Sequence, residues 1–469
     1  MKILLTGANG YIGKRLLPVL VSKGHEVVCC VRDVNRFNAP EELRGKIEVV
    51  EVDFLDKSTL ANIPDDLDGA FYLIHSMSTS NEFAKSELEC AVNFRNAVSG
   101  LEHVIYLSGI VNEDSLSKHL ASRKAVEDEL AKGDYNFTTL RAGVIIGSGS
   151  ASFEILRDLV EKLPVMIAPK WLNTRCQPIG ISEVISFLEK SLFNPETYSQ
   201  NFDIGGRDVL TYKEMLLGYA KVRGLRRWIF TVPVMTPRLS SYWLYFITAT
   251  SYKLAVALVS SMKVEVICQN SDLNGILKIF PVSYEETLKK TFANIEKNEV
   301  ISSWRDSLVS GRFVESISGF IKVPTHGCLS DKRSKTVENR SKTIGKLWRI
   351  GGETGWYYTN WLWKIRGFID KLFGGVGLRR GRTHPDRLSA GDAVDFWRVL
   401  YANREEGRLL LFAEMKLPGE AWLEFKMEDQ TLHQTATFRP KGVLGRLYWY
   451  SVYPLHGLVF QGMLDELAK

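Results

Sequence analysis

Short apolar runs alternate with amphipathic stretches over the first 150 residues. Strand-like runs are predicted at Lys2–Thr6, Glu26–Val31, Ile47–Val52, Gly69–His75, His103–Ser108 and Asn136–Arg141. Between them, Tyr11–Lys23 and Asn81–Ser99 carry apolar residues at helical spacing. Strands that alternate with helices are typical of βαβ units, whose parallel sheet is covered on both faces. The pattern therefore predicts a doubly wound α/β domain over residues 1–209.

The pattern changes to a mainly helical one over residues 210–321. Three prolines punctuate it, at positions 233, 237 and 281. We interpret this part as a substrate lobe that covers the carboxyl edge of the sheet. Its most apolar stretch, Tyr242–Met262, is interrupted by Lys253 and several hydroxyl groups, and it is too polar for a membrane span. It fits a buried or pocket-lining helix, with association at a membrane surface as the alternative.

The last part of the chain predicts a separate α+β domain. Residues 322–345 are polar and basic without apolar periodicity, which predicts a linker. Residues 346–469 contain segments such as "AWLEFKM", where Leu423, Phe425 and Met427 alternate with polar or interfacial residues as in a half-buried strand. We expect antiparallel strands, followed by a long helix kinked near Pro454.

Composition adds few constraints to this organisation. The hydrophobic fraction of 45% is ordinary for a globular protein, and the net charge is only +6. The segment from Lys322 to Arg382 holds fourteen basic and four acidic residues, a patch that could face phosphate or a membrane. It lacks a nucleic-acid-reading motif, so we expect no nucleic-acid partner. The six cysteines form no C-x-x-C pair, which predicts reduced thiols in a cytoplasmic protein and no metal site.

A glycine-rich turn follows the first predicted strand. The sequence "TGANGYIG" places Gly7, Gly10 and Gly13 between a strand and a helix, with Thr6, Asn9, Tyr11 and Ile12 around them. In this context glycine permits a tight turn, a close backbone approach to a pyrophosphate, and tight packing of helix on strand. The helix N-terminus then offers N–H groups to the phosphates. The turn predicts a Rossmann-type dinucleotide site.

The ends of the second and third strands bear on the identity of the dinucleotide. Arg32 ends the second strand, and Arg36 follows four residues later. A guanidinium here can pair with a 2′-phosphate, so we expect NADP. Asp33 could instead bond ribose hydroxyls, which keeps NAD possible. Asp53 and Phe54 follow the third strand, where an adenine ring could be held.

These stretches, together with "FYLIHSM", "IYLSGI", "LRAGVIIGSGSASFE" and "FDIGG", resemble an atypical short-chain dehydrogenase/reductase of the extended, NmrA-like kind. The resemblance covers residues 1 to about 205. The remainder is similar to a subgroup in which a helical lobe precedes a C-terminal domain of unknown function, similar to START-like helix-grip folds. The resemblance implies an NAD(P)-binding protein.

The resemblance also assigns catalytic positions. Ser108 matches the family's carbonyl-polarising Ser or Thr. The family's Tyr-x-x-x-Lys pair aligns with His119 and Arg123, and a register one residue later aligns it with Leu120 and Lys124. We prefer the first register, because Ala125, Val126 and Leu130 then keep the apolar face of the helix, and the second register leaves no acid. In the first register a neutral imidazole can donate a proton and a guanidinium can bond ribose hydroxyls.

Four further residues are candidates by position. His75 and Ser76 follow the fourth strand, near the expected nicotinamide. Arg141 and Arg175 lie where the sheet edge meets the lobe, and each could bind an anionic substrate group or form a structural salt bridge.

Two functions remain open at this point. The first is an NADPH-dependent reductase acting on a small apolar carbonyl or quinone-like compound. The second is a cofactor-sensing or hydrophobic-ligand-binding protein without turnover, since relatives of the NmrA-like kind lack the Tyr-Lys pair. His119 distinguishes them, because it supplies the only candidate acid.

Overall fold

The computed structural model describes two compact units. Met1–Thr248 with Tyr252–Trp304 form the first, and Ala249–Ser251 with Arg305–Lys469 form the second. The described residues are 1–34, 37, 41–43, 45–74, 81–98, 100–111, 118–232, 259, 262–296, 323, 328–372, 377, 382, 386–390 and 392–469. Among them, no helix is long and apolar enough to cross a membrane.

The first unit is built on a parallel sheet of seven strands. They are β1 (Lys2–Thr6), β2 (Glu26–Val31), β3 (Ile47–Glu51), β4 (Gly69–Tyr72), β5 (His103–Gly109), β6 (Asn136–Ala142) and β11 (Gln200–Ile204). Their order is β11-β6-β5-β4-β1-β2-β3, with every pairing parallel. The chain reverses its direction of growth between β1 and β4. Such a switch point opens a crevice at the carboxyl edge of the strands.

Helices cover both faces of this sheet. In chain order they are α1 (Gly13–Ser22), α2 (Asn81–Ala97), α3 (Lys118–Leu130), α4 (Ala151–Lys162) and α5 (Ile181–Ser191). The core strands are buried almost throughout, as "AFY" in β4 and "VVCCV" in β2 illustrate. Continuous burial on both faces explains why these strands are apolar runs and not alternating ones. The predicted doubly wound parallel fold is confirmed.

The rest of the first unit combines short strand pairs with helices. The strands are β7 (Ile145–Ile146), β8 (Val165–Pro169), β9 (Arg175–Cys176), β10 (Ile179–Gly180), β12 (Leu210–Thr211) and β13 (Trp228–Val232). The helices are α6 (Tyr212–Val222), α7 (Asp272–Leu277) and α8 (Tyr284–Glu296). A capping box between Thr211 and Glu214 fixes the start of α6. Most of Tyr242–Met262 falls outside the described residues.

The second unit is an antiparallel sheet with helices. Its strands are β14 (Leu329–Thr336), β15 (Ala393–Val394), β16 (Trp397–Asn403), β17 (Arg408–Ala413), β18 (Gly419–Glu428) and β19 (Thr431–Pro440). Its helices are α9 (Arg340–Leu347), α10 (Asn360–Leu372) and α11 (Gly442–Ala468). The order is β14-β19-β18-β17-β16-β15. The expected antiparallel domain is confirmed, and α11 continues through Pro454 as one helix.

The prediction of a linker over residues 322–345 is corrected. Eight of its residues form β14, which pairs along its whole length with β19, and α9 begins at Arg340. β14 is an edge strand, so it needs backbone bonds on one side only and can carry many charges. Its inward Asp331 and Arg333 pair with each other at 3.0 Å, which lets polar residues occupy the inner face.

Candidate functional site

The glycine turn after β1 has a conformation that requires glycine at two positions. Gly7 has a φ of +65°, and a β-carbon there would stand 2.9 Å from the carbonyl oxygen of Leu73. A β-carbon on Gly13 would lie 2.4 Å from the carbonyl oxygen of Gly7. The hydroxyl of Thr6 donates to the Phe71 carbonyl and accepts from the Leu73 N–H, which ties β1 to β4 at the switch point. The turn thus brings exposed Gly10 and the start of α1 to the crevice.

Several buried polar atoms near this crevice have no hydrogen-bond partner in the described part of the chain. They are Asn9 Oδ1, Tyr11 Oη, Ser108 Oγ, Arg123 Nε and Ser148 Oγ. An unpartnered buried donor or acceptor costs roughly 1–3 kcal/mol. All five lie at or beside the ends of β1, β5 and β6, where a dinucleotide would run. These atoms belong to hydroxyl and amide groups and to one guanidinium. Such groups can form hydrogen bonds with the ribose and phosphate oxygens of a dinucleotide.

The ends of β2 and β3 place a cation and a carboxylate close together. Arg32 is exposed directly after β2, and the next residue, Asp33, is buried. Burial raises the pKa of the Cys90 thiol on α2 to about 12. The Asp53 carboxylate adds to this rise in pKa, and the Arg32 guanidinium opposes it. Both charges therefore act on Cys90 of α2. The exposed guanidinium could reach a phosphate on an adenosine ribose.

The predicted adenine contact of Phe54 is corrected. Its side chain is only 2% exposed and packs 5.7 Å from the ring of Phe94 in the core. Its backbone carbonyl accepts a hydrogen bond from Asn93. A ring enclosed in this way cannot present a face to a ligand. Asp53 remains near the surface, where its carboxylate accepts from the N–H of Leu55 and shapes the local turn.

Ser108 and Arg123 come together at the end of β5. The Ser108 hydroxyl is buried, and Arg123 packs beside the next residue, with its Nη1 3.6 Å from a β-carbon built on Gly109. Burial raises the pKa of Tyr106 on the same strand to about 12, and the Arg123 guanidinium opposes this rise. The guanidinium is thus held over the strand end that carries Ser108.

Helix α3 gives evidence on the two alignments of the missing Tyr-x-x-x-Lys pair. Lys124 forms ion pairs with Glu127 and Asp128 at 2.9 Å each, and the buried Glu127 also binds Arg141, the β6 partner of Ser108. Leu120 and Arg123 both reach the strand end, because a β-carbon on Gly109 would lie 3.1 Å from Leu120 Cδ2 and 3.6 Å from Arg123 Nη1, so both registers stay open. His119 lies one helical turn before Arg123, so the two share a face of α3. The His119 side chain itself is outside the described part of the structure.

Both arginines proposed for an anionic substrate group form internal ion pairs. Arg141 on β6 binds the buried carboxylate of Glu127, a contact that raises the arginine's pKa. Arg175 makes a bidentate pair with Glu265 at 2.8 and 3.0 Å, and its side chain is 58% exposed. The structural alternative therefore holds for both, because each charge is already neutralised by a carboxylate.

Three predicted residues cannot be placed. Arg36, His75 and Ser76 lie outside the described residues. The strand that leads to His75 and Ser76 does end at the switch point, where Leu73 contacts the glycine turn.

Sequence reasoning missed the contribution of Arg15. Its guanidinium stacks 3.9 Å from the Tyr11 ring centroid and donates to the carbonyls of Tyr11 and Ser148. A β-carbon on Gly147 would lie 2.4 Å from the Tyr11 hydroxyl. Arg15 thus joins the glycine turn to the segment after β7. The sequence signal for this contact is the run of small residues "GSGS" at positions 147–150, because only small side chains let this segment approach Tyr11 and Arg15 so closely.

A small apolar cavity lies between α4, α6 and the turn at residues 170–173. Its lining is Val144, Ser152, Ile155, Leu156, Leu159, Trp171, Leu172, Tyr212, Met215, Leu216 and Met262. Trp171 has a buried Nε1–H without a partner in the described part of the chain. Val144 follows β6 by two residues, so the cavity lies near the same carboxyl edge of the sheet as Ser108. The lining that the lobe offers to this cavity is apolar.

Comparison with known families assigns both parts of the chain. Residues 3–109 match the NAD dependent epimerase/dehydratase family, and residues 327–463 match a protein family of unknown function, DUF2867. The chain therefore combines an N-terminal part similar to NAD dependent epimerases and dehydratases with a C-terminal part similar to DUF2867. The resemblance to an atypical member of that superfamily with a C-terminal domain of unknown function is confirmed.

Individual relatives are distant. The chain is 23% identical over 249 residues to the photosystem II assembly factor Ycf39 of Trieres chinensis, covering 51% of this chain and 75% of that protein. It is 27% identical over 224 residues to a chloroplastic divinyl chlorophyllide a 8-vinyl-reductase of Cucumis sativus, covering 44% of this chain and 52% of the reductase. A nucleoside-diphosphate-sugar epimerase from Staphylococcus aureus has a similar fold, with a TM-score of 0.51 and 17% identity over 62% of this chain and all of the epimerase.

Proposed function

We propose that this chain, with its epimerase/dehydratase-type N-terminal domain, is an NADP-dependent oxidoreductase that reduces a small apolar carbonyl or quinone-like compound. The observation that carries the proposal is the pair at the end of β5. A buried serine hydroxyl without a described partner stands beside an arginine that α3 holds over the same strand end. The reductase among the relatives gives the reaction class additional support.

The residues around the crevice have distinct proposed roles. Gly7, Gly10 and the start of α1 would receive the pyrophosphate, and Arg32 the 2′-phosphate. Arg123 would hold the ribose next to the nicotinamide. A bound nicotinamide supplies the hydride for the substrate carbon.

The chain supplies the hydrogen bond and the proton at the substrate oxygen. The Ser108 hydroxyl would donate to the carbonyl oxygen, which stabilises the negative charge that develops there. His119 would deliver the proton that completes the alcohol. A substrate with little charge is favoured, because both candidate anion-binding arginines are already paired.

The test is NADPH consumption against a panel of carbonyl and quinone compounds. Wild type should turn over at least one member, and Ser108→Ala and His119→Ala should each lower kcat by about 10²–10⁴-fold while binding NADPH as before. Lys124→Ala is the matched control on α3, since Lys124 points to Glu127 and Asp128. Unchanged turnover in both site variants would remove the proposed mechanism.

A second function follows from one observation, the absence of a Tyr at position 119 or 120. A cofactor-binding protein without turnover needs the glycine turn, Arg32 and Arg123, but no acid. Its second domain would then hold a hydrophobic ligand or a partner. Tight NADPH binding with no turnover on any panel member would favour this function, and multiple turnover would exclude it.

A further inference from the structure

Large apolar side chains are exposed on two helices of the second unit. Five lie on α10 and are 41–61% exposed: Trp361, Ile365, Phe368, Ile369 and Leu372. Seven lie on residues 443–458 of α11 and are 47–74% exposed: Val443, Leu444, Leu447, Tyr450, Tyr453, Leu455 and Leu458. Soluble monomers rarely expose contiguous apolar patches larger than a few hundred Å². An exposure of this extent calls for a physical explanation.

Helix α10 exposes most of its large apolar side chains and buries two charged ones, although its Trp363 packs in the core. Asp370 and Lys371 are 1% and 5% exposed, whereas Phe368 is 61% exposed. The buried carboxylate of Asp370 accepts from the N–H groups of Lys416 and Gly377, at 2.6 and 2.9 Å. Removing these buried bonds would leave a charge without partners. The bonds therefore hold the apolar face of α10 outward.

The two helices meet at residues 416–418, the connection between β17 and β18. Arg366 of α10 donates to the Lys416 carbonyl. On the other helix, the Lys441 N–H donates to the Pro418 carbonyl at 2.9 Å, and a β-carbon on Gly445 would lie 2.4 Å from that same oxygen. Both helices therefore contact the same connection between β17 and β18. We call the exposed side chains of α10 and of residues 443–458, with Lys416 and Lys441, the α10–α11 surface.

The charge on this surface has one sign. Its exposed charged residues are Lys364, Lys416, Lys441 and Arg446. Asp370 is buried, and Glu420, at the same end of the sheet, is paired with Arg439 at 3.0 Å. The exposed acids Glu405, Glu406, Glu428 and Asp429 lie at the opposite end of the sheet. At the same end as Lys416, the loop before α10 carries exposed Glu353, so this end holds more exposed cations than acids.

We propose that the α10–α11 surface docks on an anionic lipid bilayer and lies in its interfacial plane. Apolar side chains would enter the acyl boundary, and tyrosines with Trp361 would lie at the headgroups. The four cations would face the anionic headgroups, each worth about 1 kcal/mol. A second copy of the chain fits less well, because a symmetric contact would bring the four cations of this surface against the same four, and no acid among its described residues is exposed to pair with them.

The experiment is sedimentation of the full chain with vesicles of phosphatidylglycerol and phosphatidylcholine, and with vesicles of phosphatidylcholine alone. We expect binding to the anionic vesicles that weakens as salt rises, and weaker binding to the neutral ones. Leu444→Asp with Leu447→Asp, and separately Phe368→Asp, should each lower the partition coefficient by at least about tenfold. Circular dichroism and light scattering establish that each variant is folded and report its oligomeric state.

Phe280→Asp is the matched control, because Phe280 is 80% exposed in the first unit and outside this surface. It should sediment as wild type does. Wild type that stays in the supernatant with both vesicle types, or surface variants that bind as tightly as Phe280→Asp, would overturn the proposal. So would a wild-type dimer that the surface variants convert to monomers without any change in vesicle binding. The proposal does not depend on the reductase activity.

Discussion

Arg123 on α3 lies against Gly109 at the end of β5, where its Nη1 would be 3.6 Å from a β-carbon at that glycine. The contact holds a cation next to Ser108, and the neighbouring lysine of the same helix pairs with carboxylates. In the proposed function this arginine bonds the ribose near the nicotinamide.

Replacing Arg123 should therefore weaken cofactor binding. Arg123→Met should raise the Kd for NADPH by about 10–100-fold, because a hydrogen bond from a charged donor contributes roughly 1.5–3 kcal/mol. Arg123→Lys should retain part of the affinity. Titration calorimetry measures both, with Lys124→Met as the control. Equal affinities for Arg123→Met and Lys124→Met would contradict the assignment.

Arg32 should determine the preference between the two dinucleotides. Arg32→Gln should lower the affinity for NADPH by about tenfold or more and leave that for NADH nearly unchanged, because only NADPH carries the 2′-phosphate. Competition binding with both cofactors gives the ratio. A wild-type protein that binds NADH more tightly, with no change in Arg32→Gln, would show that the Asp33 alternative holds.

Alanine substitutions at Gly10 and at Gly13 should have different effects, the first on ligand binding and the second on stability. A β-carbon on exposed Gly10 would meet only the Gly7 carbonyl, at 3.0 Å, whereas one on Gly13 would lie 2.4 Å from that oxygen and 2.9 Å from Ala8 Cα. Gly10→Ala should mainly weaken NADPH binding. Gly13→Ala should lower the free energy of unfolding by about 1–3 kcal/mol, as measured by urea unfolding. The reverse assignment of the two effects would contradict this account of the turn.

His103 should make stability depend on pH. Its Nε2 bonds Thr138 Oγ1 at 2.8 Å, and its Nδ1 accepts from the Phe193 N–H at 3.0 Å. The Thr138 hydroxyl donates to the Thr197 carbonyl, so the ring must donate from Nε2 and stay neutral. Burial lowers the pKa of His103 to about 4. Between pH 6.5 and 4 the unfolded chain thus binds a proton that the folded chain does not. The free energy of unfolding therefore decreases by up to roughly 2–3 kcal/mol as the pH is lowered from 6.5 to 4.

The variant His103→Gln isolates this contribution. Its amide can donate to Thr138 and accept from Phe193, but it cannot be protonated. Urea unfolding at several pH values should show that wild type loses stability relative to the variant as pH falls below 6.5. A constant difference between the two proteins over that range would contradict the assigned tautomer.

The buried ion pair of the second unit should behave non-additively. Arg398 and Glu414 are fully buried and bonded at 3.0–3.2 Å. Removing one partner leaves a buried charge, so Arg398→Met and Glu414→Leu should each cost about 3–5 kcal/mol. The double variant should cost less than the sum of the two losses. Thermal or urea unfolding of all four proteins gives the coupling energy, and strict additivity would show that the pair is not coupled.

The sequence by itself determined the parallel sheet, the glycine turn and the antiparallel C-terminal domain. Each of these depends on local patterns: apolar runs, glycines at fixed spacing, and alternation as in "AWLEFKM". The linker prediction failed at β14 because an edge strand draws its stability from backbone bonds to β19, and that pairing leaves no apolar period in the sequence.

Only the tertiary structure decided which charged and aromatic side chains are available. It enclosed Phe54 in the core, paired Arg141 with Glu127 across fourteen residues, and brought Arg15 to Ser148 across 133 residues. It also placed Arg123 against the end of β5. These outcomes depend on contacts between distant segments, because the burial and pairing of a side chain are set by its neighbours in space and not by its neighbours in the chain.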